Sequence, residues 1–250
     1  MTESLIFSTP QHLSQLADVL SKYIRLPFSV DAIPGAVLEG VLAHVRNAEV
    51  LKTYDFVDVV KRDSQVGWQV KSTKADTPVT WKRAKIPNQE ELMENSFHSE
   101  EARQILGNTI INFCNEHAEA SIKTYHLAEI GYSRLVLFGN GDVLYFEKLL
   151  CTRENPQIFN VDDFQWHWST PKQPVKKEQL SAFHGYHKES EKKWFAWHGL
   201  GENQLHFSGE KNWWLSADNS HAIAFAFPKL DERISLEKFI ELLATLDIPT

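Results

Sequence analysis

A chain of 250 residues that is 42% hydrophobic can bury a substantial core, as one large domain or two closely joined ones. Its 26 basic and 33 acidic residues leave a formal charge of −7, which argues against a generic polyanion binder. Cys114 and Cys151 are too few for a disulfide framework, no run approaches membrane-spanning length, and the opening residues lack the basic start and apolar stretch of a signal peptide, so a reducing cytoplasm is the expected compartment.

Residues 10–23 read as a first helix, with Leu13, Leu16, Ala17 and Leu20 on one side. After Ile33-Pro34-Gly35, residues 36–52 carry Leu38, Val41, Leu42, Val45 and Ala48 at helical spacing, an amphipathic helix with Glu39 at the edge of its apolar stripe. Residues 54–74 then form two runs rich in Val, Phe and Trp around the polar break Arg62-Asp63-Ser64-Gln65, the pattern of a β-hairpin. With Asp63-Ser64 as the two-residue loop, Val60 faces Gly67 and Asp58 faces Gln69. Period-two alternation puts Lys71 on the same face, so Asp58, Gln69 and Lys71 converge. A bulge of one residue would change the face of Asp55, which stands as the alternate acid.

The hairpin runs into a basic segment, in which Lys71, Lys74, Lys82, Arg83 and Lys85 are set against Asp76 alone. Positive charge concentrated against an acidic background, with Trp81 inside the run, points to contact with a phosphate backbone. Residues 99–120 predict a helix capped by Ser99, with Ala102, Ile105, Leu106, Ile110 and Phe113 as its buried stripe. A second hairpin pairs residues 134–138 with 143–149 around Gly139-Asn140-Gly141-Asp142. Helix, hairpin, helix, hairpin is the order of an α+β fold, a mixed central sheet with helices packed against it. No internal repeat interrupts it.

The last third changes character. Residues 162–168 and 193–214 hold six of the eight tryptophans in short aromatic runs, which predict strands and loops with little helix until residues 235–246. Most of these rings belong in a core. Between them stand donors and acceptors suited to base edges and phosphates, among them Lys193, His198, Asn203, Gln204 and His206. Asn203-Gln204, between two aromatic runs, suits bidentate reading of adenine. The eleven histidines lack the third well-placed ligand of a zinc site, no nucleophile elbow accompanies them, and no GxxxxGK loop provides for a nucleotide cofactor.

Phosphodiester hydrolysis needs a divalent cation to polarise the phosphate and activate water, and hard cations prefer oxygen ligands. Asp58 offers a carboxylate and Gln69 an amide oxygen. Lys71 has no oxygen to offer and instead suits positioning of water or neutralisation of charge on the phosphate. These residues resemble the PD-(D/E)xK nuclease superfamily in its QxK variant, here Gln69-Val70-Lys71, with Val57 where the family's proline would precede Asp58. The resemblance implies a restriction-endonuclease-like fold, Mg2+ held by Asp58 and Gln69, water oriented by Lys71, and support from a glutamate on the preceding helix. Glu39 is the first candidate for that glutamate and Glu49 the weaker one. It further implies cutting of double-stranded DNA in the manner of a type II restriction endonuclease, with a homodimer as one arrangement. Residues 1–150 would build the catalytic core and residues 151–250 a β-rich recognition region integral to one compact domain. The rival readings are a repair or modification-dependent nuclease and a non-catalytic DNA-binding protein on a degenerate nuclease fold.

Overall fold

In the computed structural model, which describes residues 4–29, 32–53, 55–169, 181–199, 202–216, 219–227 and 232–245, the first helix begins where its cap places it. Thr9 accepts from the His12 N–H and Pro10 takes the first helical position of α1 (Pro10–Ile24), which buries Leu13, Leu16, Ala17, Leu20 and Ile24. Helix α2 (Gly35–Arg46) is shorter than its apolar spacing suggests, because Asn47 adopts the left-handed conformation (φ 50°) and ends it. Leu38, Leu42, Ala43 and Arg46 are its buried residues, while Val41 and Val45 are only partly covered. The early stop moves Glu49 out of the helix and into β1 (Glu49–Val50), where it is exposed and paired with Arg62.

The chain continues through β2 (Val59–Lys61), β3 (Val66–Lys74), β4 (Val79–Arg83), α3 (Gln89–Ser96) and α4 (Glu100–Tyr125). There follow β5 (Glu129–Leu137), β6 (Asp142–Thr152), β7 (Phe164–Trp168), β8 (Phe183–His187), β9 (Lys192–His198) and β10 (Gln204–Phe207), then α5 (Lys211–Leu215), β11 (Ala222–Ala226) and α6 (Leu236–Ala244). The expected second hairpin is β5–β6, longer at its open end, with its turn shifted by one residue and made at Gly141, whose φ of 90° suits glycine. The start of the first expected hairpin, residue 54, and the end of the last expected helix, residue 246, lie outside the described residues.

Two sheets result. The first is mixed, in the order β1-β2-β3-β5-β6-β11, with β3 and β5 parallel and the other pairs antiparallel. The second is antiparallel, in the order β4-β10-β9-β8-β7. This is the expected mixed sheet flanked by helices, with a β-rich aromatic C-terminal part. A boundary at residue 150 does not separate the sheets, however: β4 joins the second sheet and β11 returns to the first. One face of the mixed sheet packs Val59, Trp68, Val70, Leu135 and Tyr145 against α1 and α2. Its other face meets α4 and the inner face of the second sheet, where Trp166, Phe183, Phe195, Trp197 and Phe207 are buried. Burying each aliphatic or Phe side chain of this kind contributes roughly 1.5–3 kcal/mol.

Helix α4 carries the expected Ser99 cap, whose Oγ accepts from Ala102 N at 3.0 Å. It packs through Leu106, Ile110, Ile111, Cys114 and Ala118, which leaves Ile105 56% exposed instead of buried. Gly107 sets that rotation: a Cβ there would lie 2.1 Å from Trp166 Cδ1, so the helix can meet β7 only across a glycine. No helix among the described residues is long and apolar enough to cross a membrane.

Candidate functional site

The β2–β3 hairpin has the expected register, with Val60 opposite Gly67 and Val59 opposite Trp68. Asp63 and Ser64 are the centre of its turn, which the Gln65 N–H closes onto the Arg62 carbonyl at 3.2 Å. Asp58 departs from the ladder. Its N–H donates to the Trp68 carbonyl at 2.8 Å, and its Oδ2 accepts from the Val70 N–H at 2.7 Å. A carboxylate that caps a strand N–H lies near the plane of the sheet rather than standing on the face of Gln69. It can therefore be approached from both sides of the sheet.

Glu39 approaches from α2 and Lys71 from β3. Burial pushes the Asp58 carboxyl up, while Lys71, the Val70 N–H and Lys82 pull it back. Glu39 is also raised, first by burial and then by the charge of Asp58, with Lys71 opposing. The sequence-predicted Asp58, Lys71 and Glu39 thus form one electrostatic group. Gln69 lies beneath it on β3, 2% exposed, and donates from Nε2 to the Trp81 carbonyl at 3.2 Å. Its Oε1 is buried and has no partner in the protein, an unusual state for a buried amide oxygen.

The alternate acid, Asp55, belongs to a different neighbourhood. It is exposed and accepts from Tyr125 Oη and from Thr53 Oγ1, which hold its carboxyl below the ordinary range. Glu49, paired with Arg62, is not part of the group.

Lys82 is the member that sequence reasoning assigned elsewhere. The β4–β10 register pairs Leu205 with Lys82 and His206 with Thr80, which makes Trp81 the extra residue of a β-bulge. Paired residues share a face, and Leu205 is fully buried, so the bulge turns Lys82 inward. There it is felt by Asp55 and Asp58, while burial lowers its pKa. Regular alternation from the buried Val79 would have sent Lys82 outward, and nothing in the local sequence announces the bulge.

One expected DNA contact, Trp81, is corrected by burial. Trp81 is 1% exposed and packs against Phe56, Tyr132, Phe159, Phe207 and Trp213, so it offers no ring to a ligand. Asn203, at φ 51°, connects β9 to β10; its carbonyl accepts from Ala84 N at 2.7 Å and its Oδ1 is buried. Lys74, Arg83 and Lys85 are exposed as phosphate contacts require. Gln204 and His206 stand half-buried on β10, with Gln204 Oε1 and His206 Nε2 3.0 Å apart.

No set of three or more His, Cys, Asp or Glu side chains among the described residues is arranged to hold a metal ion. A cation at this place would rest on Asp58 and Glu39, with the orphaned Gln69 Oε1 as a neutral oxygen. Asp58 and Glu39, of which one raises the other, and the unpartnered Gln69 amide are oxygens of the kind a hard divalent cation takes. No protein-family model, curated protein or solved structure matches this chain.

Proposed function

We propose that this chain is a magnesium-dependent endonuclease that hydrolyses phosphodiester bonds in double-stranded DNA. The observation that carries the reading is the half-buried Asp58 carboxylate at the start of β2, which accepts from the Val70 N–H, with Glu39, Lys71 and Lys82 near enough for their charges to act on it or be acted on by it. Bound Mg2+ would supply Lewis acidity to the phosphate and lower the pKa of the attacking water. Asp58 and Glu39 would hold the cation, with Gln69 offering its amide oxygen. Lys71 orients the water, while Lys82 offsets charge that builds on the phosphate in the transition state. The exposed Lys74, Arg83 and Lys85 hold the DNA backbone.

Site-specific cutting of the type II restriction kind, action in the cytoplasm and assembly as a homodimer extend the same reading from the resemblance of Gln69-Val70-Lys71 and Asp58 to the QxK nucleases. The test is incubation of the purified protein with plasmid and Mg2+, with and without chelator. Discrete fragments support the restriction reading and diffuse degradation a general or repair nuclease. Binding without cutting supports a DNA-binding protein on a degenerate fold. Cleavage should fall roughly 10²–10³-fold in Lys71→Ala and stop in Asp58→Ala, and full activity in both overturns the assignment.

A further inference from the structure

The edges of the two sheets are finished differently. β1 is only two residues long and bears the Glu49–Arg62 ion pair. β7 is met by α4, from which Gln104 Nε2 donates to the Phe164 carbonyl at 2.9 Å. β4 carries Lys82, Arg83 and the bulge at Trp81. Short length, charge, a bulge or a covering group each keep an edge strand from pairing with another chain. β11 has no charge, proline or bulge: Ala222-Ile223-Ala224-Phe225-Ala226 lies in unbroken register with β6, and among the described residues no strand pairs with its outer side.

Hydrogen-bond direction tells which groups this edge presents. The Asp142 carbonyl accepts from Phe138 N on the β5 side of β6, and the Gly141 carbonyl accepts from Phe227 N. Alternate residues of an antiparallel ladder bond to opposite sides, so Ile223 and Phe225, opposite Tyr145 and Val143, bond to β6. Ala222, Ala224 and Ala226 therefore aim their N–H and C=O groups away from the sheet, and no described residue bonds to them there. Ala224 and Ala226 are exposed.

We propose that this edge pairs with the same strand of a second copy of the chain, antiparallel about a two-fold axis at Ala224, and joins the two mixed sheets into one. The strand itself selects that partner. Read in either direction it is alanine alternating with a large apolar residue, so the axis sets Ala222 against the partner's Ala226 and Ala224 against the partner's Ala224. Every outward N–H and C=O of both copies then finds a mate. The same register sets Ile223 beside the partner's Phe225 at the closely spaced, non-hydrogen-bonded positions, where a β-branched residue next to an aromatic ring is favourable. A two-fold axis brings any charge near it against its own copy, and this strand has none. A chain of other sequence would use the backbone groups alone, whereas a second copy uses the side chains as well. The inference rests on the edge and not on the nuclease reading or on the resemblance that gives a homodimer as one arrangement.

The test is sedimentation velocity of the full chain without DNA or metal, combined with disulfide trapping. Wild-type protein should sediment as a dimer whose share grows with concentration. Ala224→Lys sets two ammonium groups side by side at the axis and should give monomer with an unchanged far-ultraviolet circular dichroism spectrum, because Ala224 is exposed. Ala224→Cys should cross-link the copies under mild oxidation, since hydrogen-bonded partners lie about 5.5 Å apart at Cα, within disulfide reach. Ala226→Cys should not, because its own copy lies roughly 13 Å along the strand. Cys114 and Cys151 are buried and keep the background low. A wild-type monomer, which would leave the edge to a different chain, a dimer that survives Ala224→Lys, or equal cross-linking in the two cysteine variants overturns the proposal. A dimer with these properties that never cleaves plasmid retains this inference and removes the nuclease reading.

Discussion

Two charged clusters lie on neighbouring strands of the mixed sheet and are treated in opposite ways. Register places Gln69 beside Tyr132 and Lys71 beside Arg134 on the parallel pair β3–β5. Arg134 and Glu210 are buried to 0% and 1% exposure. Glu210 accepts from Arg134 Nε at 3.0 Å, from Arg134 Nη2 at 2.9 Å and from Tyr132 Oη at 2.5 Å. Thr73 Oγ1 accepts a further bond from the guanidinium. One strand away, Asp58 has one backbone donor, Glu39 is raised by it, and Gln69 Oε1 has no partner. The difference teaches which charge is scaffold and which is function: saturated partners make a buried charge structural, and a deficit of partners leaves it ready for a ligand.

The largest expected effect falls on the saturated cluster. Glu210→Ala leaves the buried Arg134 uncompensated and should cost roughly 3–5 kcal/mol of unfolding free energy, read by denaturant titration. A loss as small as that of an exposed ion pair would show that Arg134 finds water or another acceptor and would remove the contrast. Next is Lys71→Ala, for which plasmid cleavage should fall roughly 10²–10³-fold, about 3–4 kcal/mol in barrier, while the unfolding midpoint stays close to wild type. A variant that unfolds easily would place Lys71 among the scaffold residues instead.

Metal should sharpen the comparison further. With Mg2+ at a hundred times its Kd, thermal unfolding at pH 8 should show about 2.7 kcal/mol of added stability. The gain should shrink toward pH 5, because Asp58 and Glu39 are raised and protons compete with the cation for them. Equal stabilisation at both pH values would move the cation away from these carboxylates.

The smallest effect is a stabilisation. Asp58 has a folded-state pKa above its unfolded value, so its ionised form opposes folding at neutral pH and the opposition fades as pH falls toward the unfolded value near ~3.9. Asp58→Asn keeps an acceptor for the Val70 N–H and removes the charge. It should raise the metal-free stability by about 1 kcal/mol at pH 7, with no gain below pH ~4, and abolish cleavage.

Legibility followed range. Helix α1, the cap of α4 and the Val60–Gly67 register depend on residues a few positions apart, and period and turn chemistry read them directly. Register set Asp58 opposite Gln69, but its carboxylate caps the Val70 N–H near the plane of the sheet, a choice that counting by twos along the strand does not reach. Lys82 was misplaced for the opposite reason, since its direction depends on how β4 meets β10 more than a hundred residues later. Trp81 was read as a surface ring because it stands among cations, yet the ring packing available between the sheets outweighs any local preference for solvent.

By itself, then, the sequence determined the elements that carry their own signal: the amphipathic helices, the first two hairpins and the aromatic strands. Tertiary structure decided where β4 and β11 pair, that bulges at Trp81 and Trp194 sort cations to opposite sides, and that Arg134 meets Glu210 76 residues away. Hydrogen-bonded turns and side-chain periods are local free-energy choices. Strand partnership and buried ion pairing are contacts between distant segments, and they are settled only when the whole core closes.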